Sequence, residues 1–309
     1  MSAEETDGEE PRFDLTFNAP AGELQKVSPL VRRLVAPNPG PFTFTGTCVY
    51  IVGAGEVTAI DPGPDLPAHT DALLNGLAGE RIGKILVTHT HRDHSPAARA
   101  LREATGAEIL GCAPHFAARE LVLGETNKLD ASNDTDYRPD RVLSDGAIVA
   151  GPGYTIKAVA TPGHTMNHLC FELVEEQALF TGDHIMGWST SIVAPPDGAM
   201  RLYLDSLAKL RDADHLIYWP GHGGPVTQPR RFVRALLHHR RAREISILGA
   251  LGAGPRAIPD IVEKVYEKLD ARLKGAAALS TLAHLEDLCT REMVETDGAP
   301  QLTGIFRRR

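Results

Sequence analysis

Short apolar, β-branched runs alternate with amphipathic stretches along the first two-thirds of the chain. Apolar runs of this length bounded by Gly, Pro and Asp are typical of strands, whereas apolar positions three or four residues apart are typical of helices. The predicted strands are Phe42–Val52, Val57–Ile60, Lys84–Thr88, Thr155–Ala160, Leu169–Leu173, Ala178–Thr181 and His215–Trp219. The predicted helices are His69–Gly79, Ser95–Thr105, Pro114–Leu123 and Arg201–Arg211. This interleaving predicts a layered α/β fold with active-site loops at strand ends.

The pattern changes after residue 228. Three helices are predicted there, Arg230–Leu251, Pro259–Leu269 and Leu279–Thr290, followed by a hairpin over Met293–Phe306 with Asp297-Gly298 as its turn. Helices followed by a small hairpin resemble a winged-helix module. We therefore expect a catalytic domain over 13–228 and a small, mostly helical, winged-helix-like domain over 229–309, with an acidic, disordered tail over 1–12.

Composition sets limits on the class of protein. The 309 residues are 42% hydrophobic and 23% charged, as in a globular protein with a sizeable core. The N-terminus lacks a basic start followed by an apolar stretch, so we expect no signal peptide, and no apolar run is long enough to cross a bilayer. Four widely spaced cysteines predict buried free thiols. A cytoplasmic protein with no membrane association is expected, and its oligomeric state is left open.

Charge is distributed unevenly along the chain. The formal net charge is −8, yet residues 229–309 contain 15 Lys and Arg against 10 Asp and Glu, a balance of +5. The rest of the chain has a balance of −13. The basic segment is a weak indication of a polyanionic partner. Its arginines form either a path for nucleic acid or a solvated helix face, and the second interpretation is favoured because the catalytic domain is acidic. These arginines are Arg230, Arg231, Arg234, Arg240, Arg241 and Arg243.

The most informative segment is an H-x-H-x-D-H cluster that directly follows the predicted strand Lys84–Thr88. Its members are His89, His91, Asp93 and His94. Alternate residues of an extended loop point the same way, so two of these imidazoles can reach one ion, while the last two residues reach a second ion nearby. Imidazole and carboxylate ligands suit Zn²⁺ and related first-row metals.

Three further segments place a ligand-type residue in a Gly-containing loop after a predicted strand. They are Pro162-Gly163-His164, Gly182-Asp183-His184 and Pro220-Gly221-His222. Each alone would indicate only a turn, but together with the cluster they complete a ligand set for two ions. His184, His168 and His115 are assigned to other roles, as neighbours of the site or as core residues. Asp61 is expected either to orient a ligand imidazole or to cap a loop, and the first role is favoured.

This order of motifs resembles that of the metallo-β-lactamase superfamily, with Asp61-Pro62-Gly63 preceding it. The resemblance implies an αββα sandwich with two metals at one edge. It implies that His89, His91 and His164 hold one metal, that Asp93, His94 and His222 hold the other, and that Asp183 bridges them. Two divalent ions are expected, most readily Zn²⁺, with Mn or Fe as alternatives.

A narrower similarity covers nearly the whole chain. Residues 182–188 and 194–198, with the C-terminal stretches 258–266 and 282–286, look like the β-lactamase-like protein 2 group. Members of that group include a single-strand-specific endoribonuclease and, in a fungal branch, thioesterases acting on acyl-carrier-protein products. The resemblance does not choose between these substrates.

We therefore expect a binuclear hydrolase that uses a metal-bound hydroxide, with Asp93 as ligand and as the residue that orients the water or moves its proton. The substrate is either single-stranded RNA or a small acyl molecule such as a thioester or lactone. The segment Met186–Met200, with Trp188, is a candidate wall for it. The alternative is a regulatory protein that binds nucleic acid or a partner and keeps a vestigial metal site.

Overall fold

A computed structural model describes residues 10–267 and 269–309, and it contains two packed β-sheets flanked by helices. The first sheet has seven strands in the order β1 to β7. Strands β1 to β4 pair antiparallel and β4 to β7 pair parallel. The strands are β1 Gln25–Lys26, β2 Val31–Val35, β3 Cys48–Ala54, β4 Glu56–Ile60, β5 Arg81–Val87, β6 Glu108–Gly111 and β7 Arg141–Val142.

The second sheet has five strands in the order β12-β11-β10-β9-β8. They are β8 Ile148–Gly151, β9 Tyr154–Ala160, β10 Leu169–Leu173, β11 Ala178–Gly182 and β12 Ile217–Pro220. Strands β11 and β12 run parallel, and β10 runs antiparallel to both β9 and β11. Strands β9, β11 and β12 therefore end at the same edge of the sheet.

The inner faces of the two sheets form one apolar core. Val49, Ile51 and Ile85 of the first sheet and Ile156 and Phe171 of the second are all fully buried in it. Helices α1 (Pro67–Gly76) and α2 (Ala97–Thr105) flank the first sheet, and α3 (Met200–Arg211) and α4 (Pro229–Leu251) flank the second. This is the expected αββα sandwich.

The C-terminal part has its own apolar core, into which the end of α4 also packs. It contains α5 (Ile258–Val265), α6 (Lys274–Thr290) and a three-stranded sheet of β13 (Arg256–Ala257), β14 (Val294–Thr296) and β15 (Ile305–Arg308). Strands β14 and β15 pair antiparallel as predicted, but residues 297–304 connect them as a longer loop, so the predicted two-residue turn at Asp297-Gly298 is wrong. Short 3₁₀ turns cover Asp130–Ser132, Val174–Glu176 and Ala271–Leu273.

Helix α4 connects the two cores. Val233 and Leu236 near its start pack against the second sheet, whereas Ile247 and Leu251 near its end pack among α5 and α6. The predicted boundary between residues 228 and 229 stays a prediction. The predicted tail over 1–12 falls mostly outside the described residues. Of its last three residues, Glu10 contacts His239 and Pro11 is buried.

Several predicted elements differ from the structure in their bounds or existence, and three of them show why. The helix predicted over Pro114–Leu123 is wrong, because its backbone amides have partners outside a helix: Ala118 donates to the carbonyl of Pro196. The predicted strand Phe42–Val52 begins only at Cys48, since Phe44 and Gly46 have φ of 54° and 131°. The helix predicted over Pro259–Leu269 ends at Val265, whose carbonyl accepts a hydrogen bond from Arg243.

The cysteines and the helices bear on two further expectations. All four cysteines are free thiols, and three of them are buried, as predicted. Among the described helices none combines the length and apolar character needed to span a membrane. The cytoplasmic location stays a prediction.

Candidate metal centre

The seven predicted ligands meet at one edge of the sandwich. The cluster of His89, His91, Asp93 and His94 follows β5, and His164, Asp183 and His222 follow β9, β11 and β12. Residues far apart in sequence come together because the carboxyl ends of these strands lie at the same edge. All seven side chains form two adjoining groups there, each able to hold a cation.

The first group contains His89, His91, His164 and Asp183. Nδ1 of His91 lies 3.0 Å from Nε2 of His89 and 3.1 Å from Nε2 of His164. Oδ2 of Asp183 lies 3.9 Å from Nε2 of His164. Three nitrogens and one carboxylate oxygen thus face a common point.

The second group contains Asp93, His94 and His222. Nε2 of His222 lies 3.3 Å from Nε2 of His94 and 3.1 Å from Oδ2 of Asp93. The other oxygen of Asp183, Oδ1, lies 3.4 and 3.3 Å from the same two imidazole nitrogens. The two oxygens of Asp183 therefore face different groups, which is the arrangement expected of a bridging carboxylate.

The outer nitrogens of four imidazoles have acceptors that orient the rings. Nδ1 of His89 donates to Thr88 Oγ1 at 3.0 Å, because that hydroxyl already donates to Asp61. The Nδ1 atoms of His94, His164 and His222 face Asp61 Oδ2 at 3.0 Å, the Ile192 carbonyl at 2.6 Å and the Gly46 carbonyl at 3.3 Å. Each acceptor keeps a proton on Nδ1, so Nε2 is the nitrogen that faces the centre, as metal-binding histidines require.

Asp61 makes the orienting contact that the sequence indicated. Its carboxylate is buried and accepts hydrogen bonds from the Thr88 amide at 2.8 Å, from the Thr88 hydroxyl at 2.7 Å and from His94. Its backbone lies in the left-handed region, with φ of 49°. That conformation is uncommon outside glycine, but aspartate tolerates it better than most residues. The side chain thereby ties the β4 loop to the β5 loop.

The donor set fits a pair of divalent ions. Ligand atoms around a tetrahedral Zn²⁺ with bonds of 2.0–2.1 Å lie about 3.3 Å from one another. The ligand atoms of each group lie between 3.0 and 3.9 Å from their neighbours. Oδ1 of Asp183 is buried without a hydrogen-bond donor, which is costly for a carboxylate unless a cation faces it. Five imidazoles and two carboxylates also match the preference of Zn²⁺.

The two groups differ in electrostatics. Burial, reinforced by the neighbouring His164, lowers the pKa of His91 to about 3. Burial opposes a charge on His222 as well, but the carboxylates of Asp183 and Asp93 outweigh it and raise the pKa of His222 to about 9. The pKa of His94 is raised in the same way, against burial, chiefly by Asp93. The second group, which Oδ1 of Asp183 also faces, therefore attracts positive charge, either as protons or as a metal cation.

Glycine lets the loops approach this closely. A Cβ atom added to Gly221 would lie 2.7 Å from the ring of His94 and 2.8 Å from Oδ1 of Asp183. One added to Gly163, whose φ is 143°, would lie 2.3 Å from the Cα of Tyr203. The glycines beside His164 and His222 are thus required by space, and the first of them by backbone conformation as well.

The other histidines near the site lie outside both groups. The ring of His168 packs 5.1 Å from that of His89 and pairs with Thr161 Oγ1 at 2.8 Å. His184 is buried against Tyr203, with ring centroids 4.8 Å apart. His115 lies 3.2 Å from Oδ1 of Asp197. These three rings therefore pack beside the two groups without belonging to either.

Asp197 is a buried carboxylate that joins the loop after β11 to the loop after β6; the resemblance over residues 194–198 included it, but no role was predicted for it. It accepts hydrogen bonds from Asn127 and from Asn133, each at 2.9 Å, and pairs with His115. The backbone of Asn133 in turn forms a bridge to His91. No local spacing reveals such a hub, because its three partners are 64 to 82 residues away.

A cavity of about 700 Å³ opens over the metal centre. His91, Asp93, His164 and Asp183 lie at its base. Its walls are mainly apolar and come from both halves of the chain; they include Leu129, Met186, Ile192, Ala278, Leu279 and Leu302. Three cationic side chains, Arg92, Lys128 and Arg272, also line it. Met186 and Ile192 belong to the segment that the sequence indicated as a wall.

Family models match both halves of the chain. The model described as the metallo-beta-lactamase superfamily matches residues 42–222. The model described as the beta-lactamase associated winged helix domain matches residues 257–301. The predicted order of a sandwich followed by a winged-helix domain is thereby confirmed.

Relatives match over most of their length. A beta-lactamase-like protein 2 homolog from Caenorhabditis elegans is 31% identical over 88% of each chain. An atrochrysone carboxyl ACP thioesterase from Aspergillus fumigatus is 33% identical, over 81% of this chain and 77% of that protein. The crystal structure of a metallo-beta-lactamase family protein from Thermus thermophilus superposes with a TM-score of 0.76 at 25% identity, covering 92% of this chain and all of that one.

Proposed function

The chain belongs to the metallo-β-lactamase superfamily, and we propose that it is a binuclear metal-dependent hydrolase of acyl thioesters or similarly activated esters such as lactones. His89, His91 and His164 would hold one ion, Asp93, His94 and His222 the other, and Asp183 would bridge them. When bound, two such ions lower the pKa of a water molecule toward 7 and stabilise negative charge on the attacked group.

The cavity over the centre is the observation that carries the choice of substrate. Its volume of about 700 Å³ lies in the range of small-molecule pockets, and apolar side chains dominate its walls. An acyl chain gains free energy from such walls in proportion to the apolar area that it buries. Two relatives named as thioesterases match 80% and 81% of this chain, which supports the same class.

Asp93 is the residue to which we assign proton transfer. Burial opposes its ionisation, but His94 and His222 outweigh it and hold the pKa of Asp93 well below its usual range. The carboxylate is therefore ionised at neutral pH and can accept a proton. Its side chain is 26% exposed, against 11% for Asp183, and it lines the cavity. Asp93 can thus both complete the ligand set and take a proton from the attacking water.

Single-stranded RNA is the second candidate, favoured by Arg92, Lys128 and Arg272 along the cavity. Binding of a strand commonly needs a continuous basic groove with aromatic stacking surfaces. The arginines of α4 do not present one surface of that kind, since Arg230 pairs with Asp214 and Arg240 is buried. We therefore rank RNA below the acyl substrate.

Parallel assays on one preparation test the choice. Acyl thioesters of increasing chain length are followed by the thiol that they release, and a fluorescent single-stranded RNA is followed by its cleavage. We expect metal-dependent release of thiol that is lost in His222→Ala, with RNA intact. Cleavage of RNA without release of thiol would favour the second candidate. If His222→Ala keeps the activity of the wild type, the proposed metal site is refuted.

A further inference from the structure

A second cavity, of about 310 Å³, adjoins the one over the metal centre. The two share the side chains of Phe42, Met186, Ile192 and Ala276 as walls. The other walls of the second cavity include Arg240 and Arg243 of α4, Tyr266 directly after α5, and Trp188 of the loop after β11. A molecule whose acyl group fills the first cavity can therefore place another of its groups in the second.

Arg240 is a buried cation that lacks an anionic partner in the described part of the chain. It is only 4% exposed, and among the described residues no carboxylate lies within ion-pair distance of it. It contacts the carbonyl of Ser191 through Nη2 and the ring of Tyr203, 5.1 Å from the guanidinium carbon. Its Nε has no hydrogen-bond partner within the described part of the chain. A buried guanidinium in this state is costly, because neither a charge nor a full set of hydrogen bonds replaces its hydration.

Arg243 brings a second positive charge to the same cavity. It donates to the carbonyl of Val265 at 2.7 Å and stacks 4.0 Å from the ring centre of Tyr266. Among the described residues it forms no ion pair with a carboxylate. His239, which also lines this cavity, pairs with Glu10. The two arginines also act on the nearby buried His284. Burial, and then the positive charges of Arg240 and Arg243, hold the pKa of His284 well below its usual value.

Two consecutive backbone carbonyls link the candidate metal centre with Arg240. Ile192, whose carbonyl accepts from His164 at the metal centre, follows Ser191, whose carbonyl accepts from Arg240. Consecutive Cα atoms are about 3.8 Å apart. The guanidinium is therefore close enough to the centre to contact the same small molecule, rather than a remote part of a polymer.

We propose that Arg240 and Arg243 form a binding site for an oxyanion, a carboxylate or a phosphate, that the acyl substrate bears in addition to its reacting carbonyl. Planar guanidinium groups match the geometry of both anions. The inference rests on the proposed function for the identity of the substrate, but the anion site itself can be tested without turnover.

Matched pairs of thioesters locate the anion. An octanoyl N-acetylcysteamine thioester is compared with its suberyl counterpart, which adds a terminal carboxylate to a chain of the same length. Octanoyl-pantetheine is compared with octanoyl-4′-phosphopantetheine. We expect kcat/KM to favour one charged member over its neutral match by about tenfold to a hundredfold, as for loss of a charged hydrogen bond. A preference for the charged member of the first pair identifies the bound anion as a carboxylate, and a preference within the second pair identifies it as a phosphate.

Variants separate binding of the anion from a structural role. Arg243→Gln should reduce the preference ratio to within about twofold of unity, and Arg240→Lys should retain part of it. Arg241→Gln is the matched control, since Arg241 is exposed on the same helix and lines neither cavity, and it should keep the full ratio. Equal rates for charged and neutral substrates in the wild type would overturn the proposal. So would a ratio that Arg243→Gln leaves unchanged.

A binding experiment covers the case in which no thioester is hydrolysed. Calorimetry compares suberamate with octanamide and 4′-phosphopantetheine with pantetheine on the metal-loaded protein. Binding of a charged member that Arg243→Gln abolishes would retain the anion site while refuting the proposed function. No binding of either charged member would refute the anion site. Arg243-dependent binding of a single-stranded RNA alone would refute a small acyl substrate as its ligand.

Discussion

The carboxylate of Asp61 accepts a hydrogen bond from Nδ1 of His94, and the two atoms are 3.0 Å apart. Both side chains are buried, and Thr88 donates twice to the same carboxylate. Every donor around Asp61 therefore points at a negative charge. This charge keeps the proton on Nδ1 of His94 and leaves Nε2 to bind metal.

Replacing Asp61 by Asn should weaken binding of the ion that we assign to Asp93, His94 and His222. An amide nitrogen would face a donor in at least one of the three contacts, and His94 would keep at best a neutral amide oxygen in place of the carboxylate. We expect metal affinity to fall about tenfold to a hundredfold, the usual effect of losing such a partner, measured by competition with a chromogenic chelator. Asp65→Asn is the control, because Asp65 is exposed on the same loop. Equal affinity in the two variants would contradict the role given to Asp61.

Metal binding should strengthen as pH rises toward 9. The pKa of His222 is about 9 in the metal-free site, raised by Asp183 and Asp93 against the effect of burial, so the ring holds a second proton at neutral pH. A metal ion must displace that proton, since only the neutral imidazole is a ligand. Apparent affinity should therefore rise about tenfold per pH unit between pH 7 and 9 for each proton released.

Calorimetry in buffers with different ionisation enthalpies measures this proton release directly. At pH 7 we expect at least one proton per chain to leave when the second ion binds. Binding without proton release, with an affinity independent of pH over this range, would contradict the assignment of His222 as a ligand.

Asp93→Asn should separate chemistry from binding. The amide oxygen can still face a metal but cannot accept a proton, so kcat should fall about 10²- to 10⁴-fold, the usual contribution of a positioned base. The Michaelis constant for the thioester should change much less. Metal content is measured on the same sample. A near-normal kcat at full metal content would show that Asp93 is a ligand alone.

The size of the acyl group should depend on α6. Ala278 lines the cavity over the metal centre, so Ala278→Leu places three extra carbons in the space that we assign to the acyl chain. We expect kcat/KM for an octanoyl thioester to fall about tenfold while that for an acetyl thioester stays within about twofold, because one pocket contact of this size is worth about 1–3 kcal/mol. Ala271→Leu, an exposed change in the preceding turn, should affect neither. An equal loss of kcat/KM for the octanoyl and the acetyl thioester would contradict the assignment of Ala278 to the wall around the acyl chain.

The convergence of the proposed ligands could be predicted from sequence because each segment that carries them follows an apolar strand. Strands of one sandwich that run in the same direction end at the same edge, so His89, His164, Asp183 and His222 had to converge if the strands were right. Glycine before three of these four was the additional signal. The order of domains followed from the change in pattern after residue 228 and from the resemblance to a known group.

The contacts that the sequence could not reveal are tertiary. Asp197 joins three loop residues, and Arg240 reaches a carbonyl 49 residues away, so neither leaves a local pattern. The wrong helix at Pro114–Leu123 has the same cause: its apolar spacing suits a helix, but the backbone of Ala118 bonds to a distant loop instead. The spacing of apolar residues along a short segment carries no information about hydrogen-bond partners that are distant in the sequence.

The metal content of the purified protein and of His91→Ala, determined by elemental analysis together with thioester hydrolysis, tests the central claim most directly. We predict two equivalents of divalent metal per chain with activity in the wild type, and about one equivalent without activity in His91→Ala. His69→Ala is the control, since His69 pairs with a backbone carbonyl outside both ligand groups, and it should retain both ions. A wild-type protein that binds no metal when supplied with it, or an active His91→Ala variant with two ions, would contradict the account.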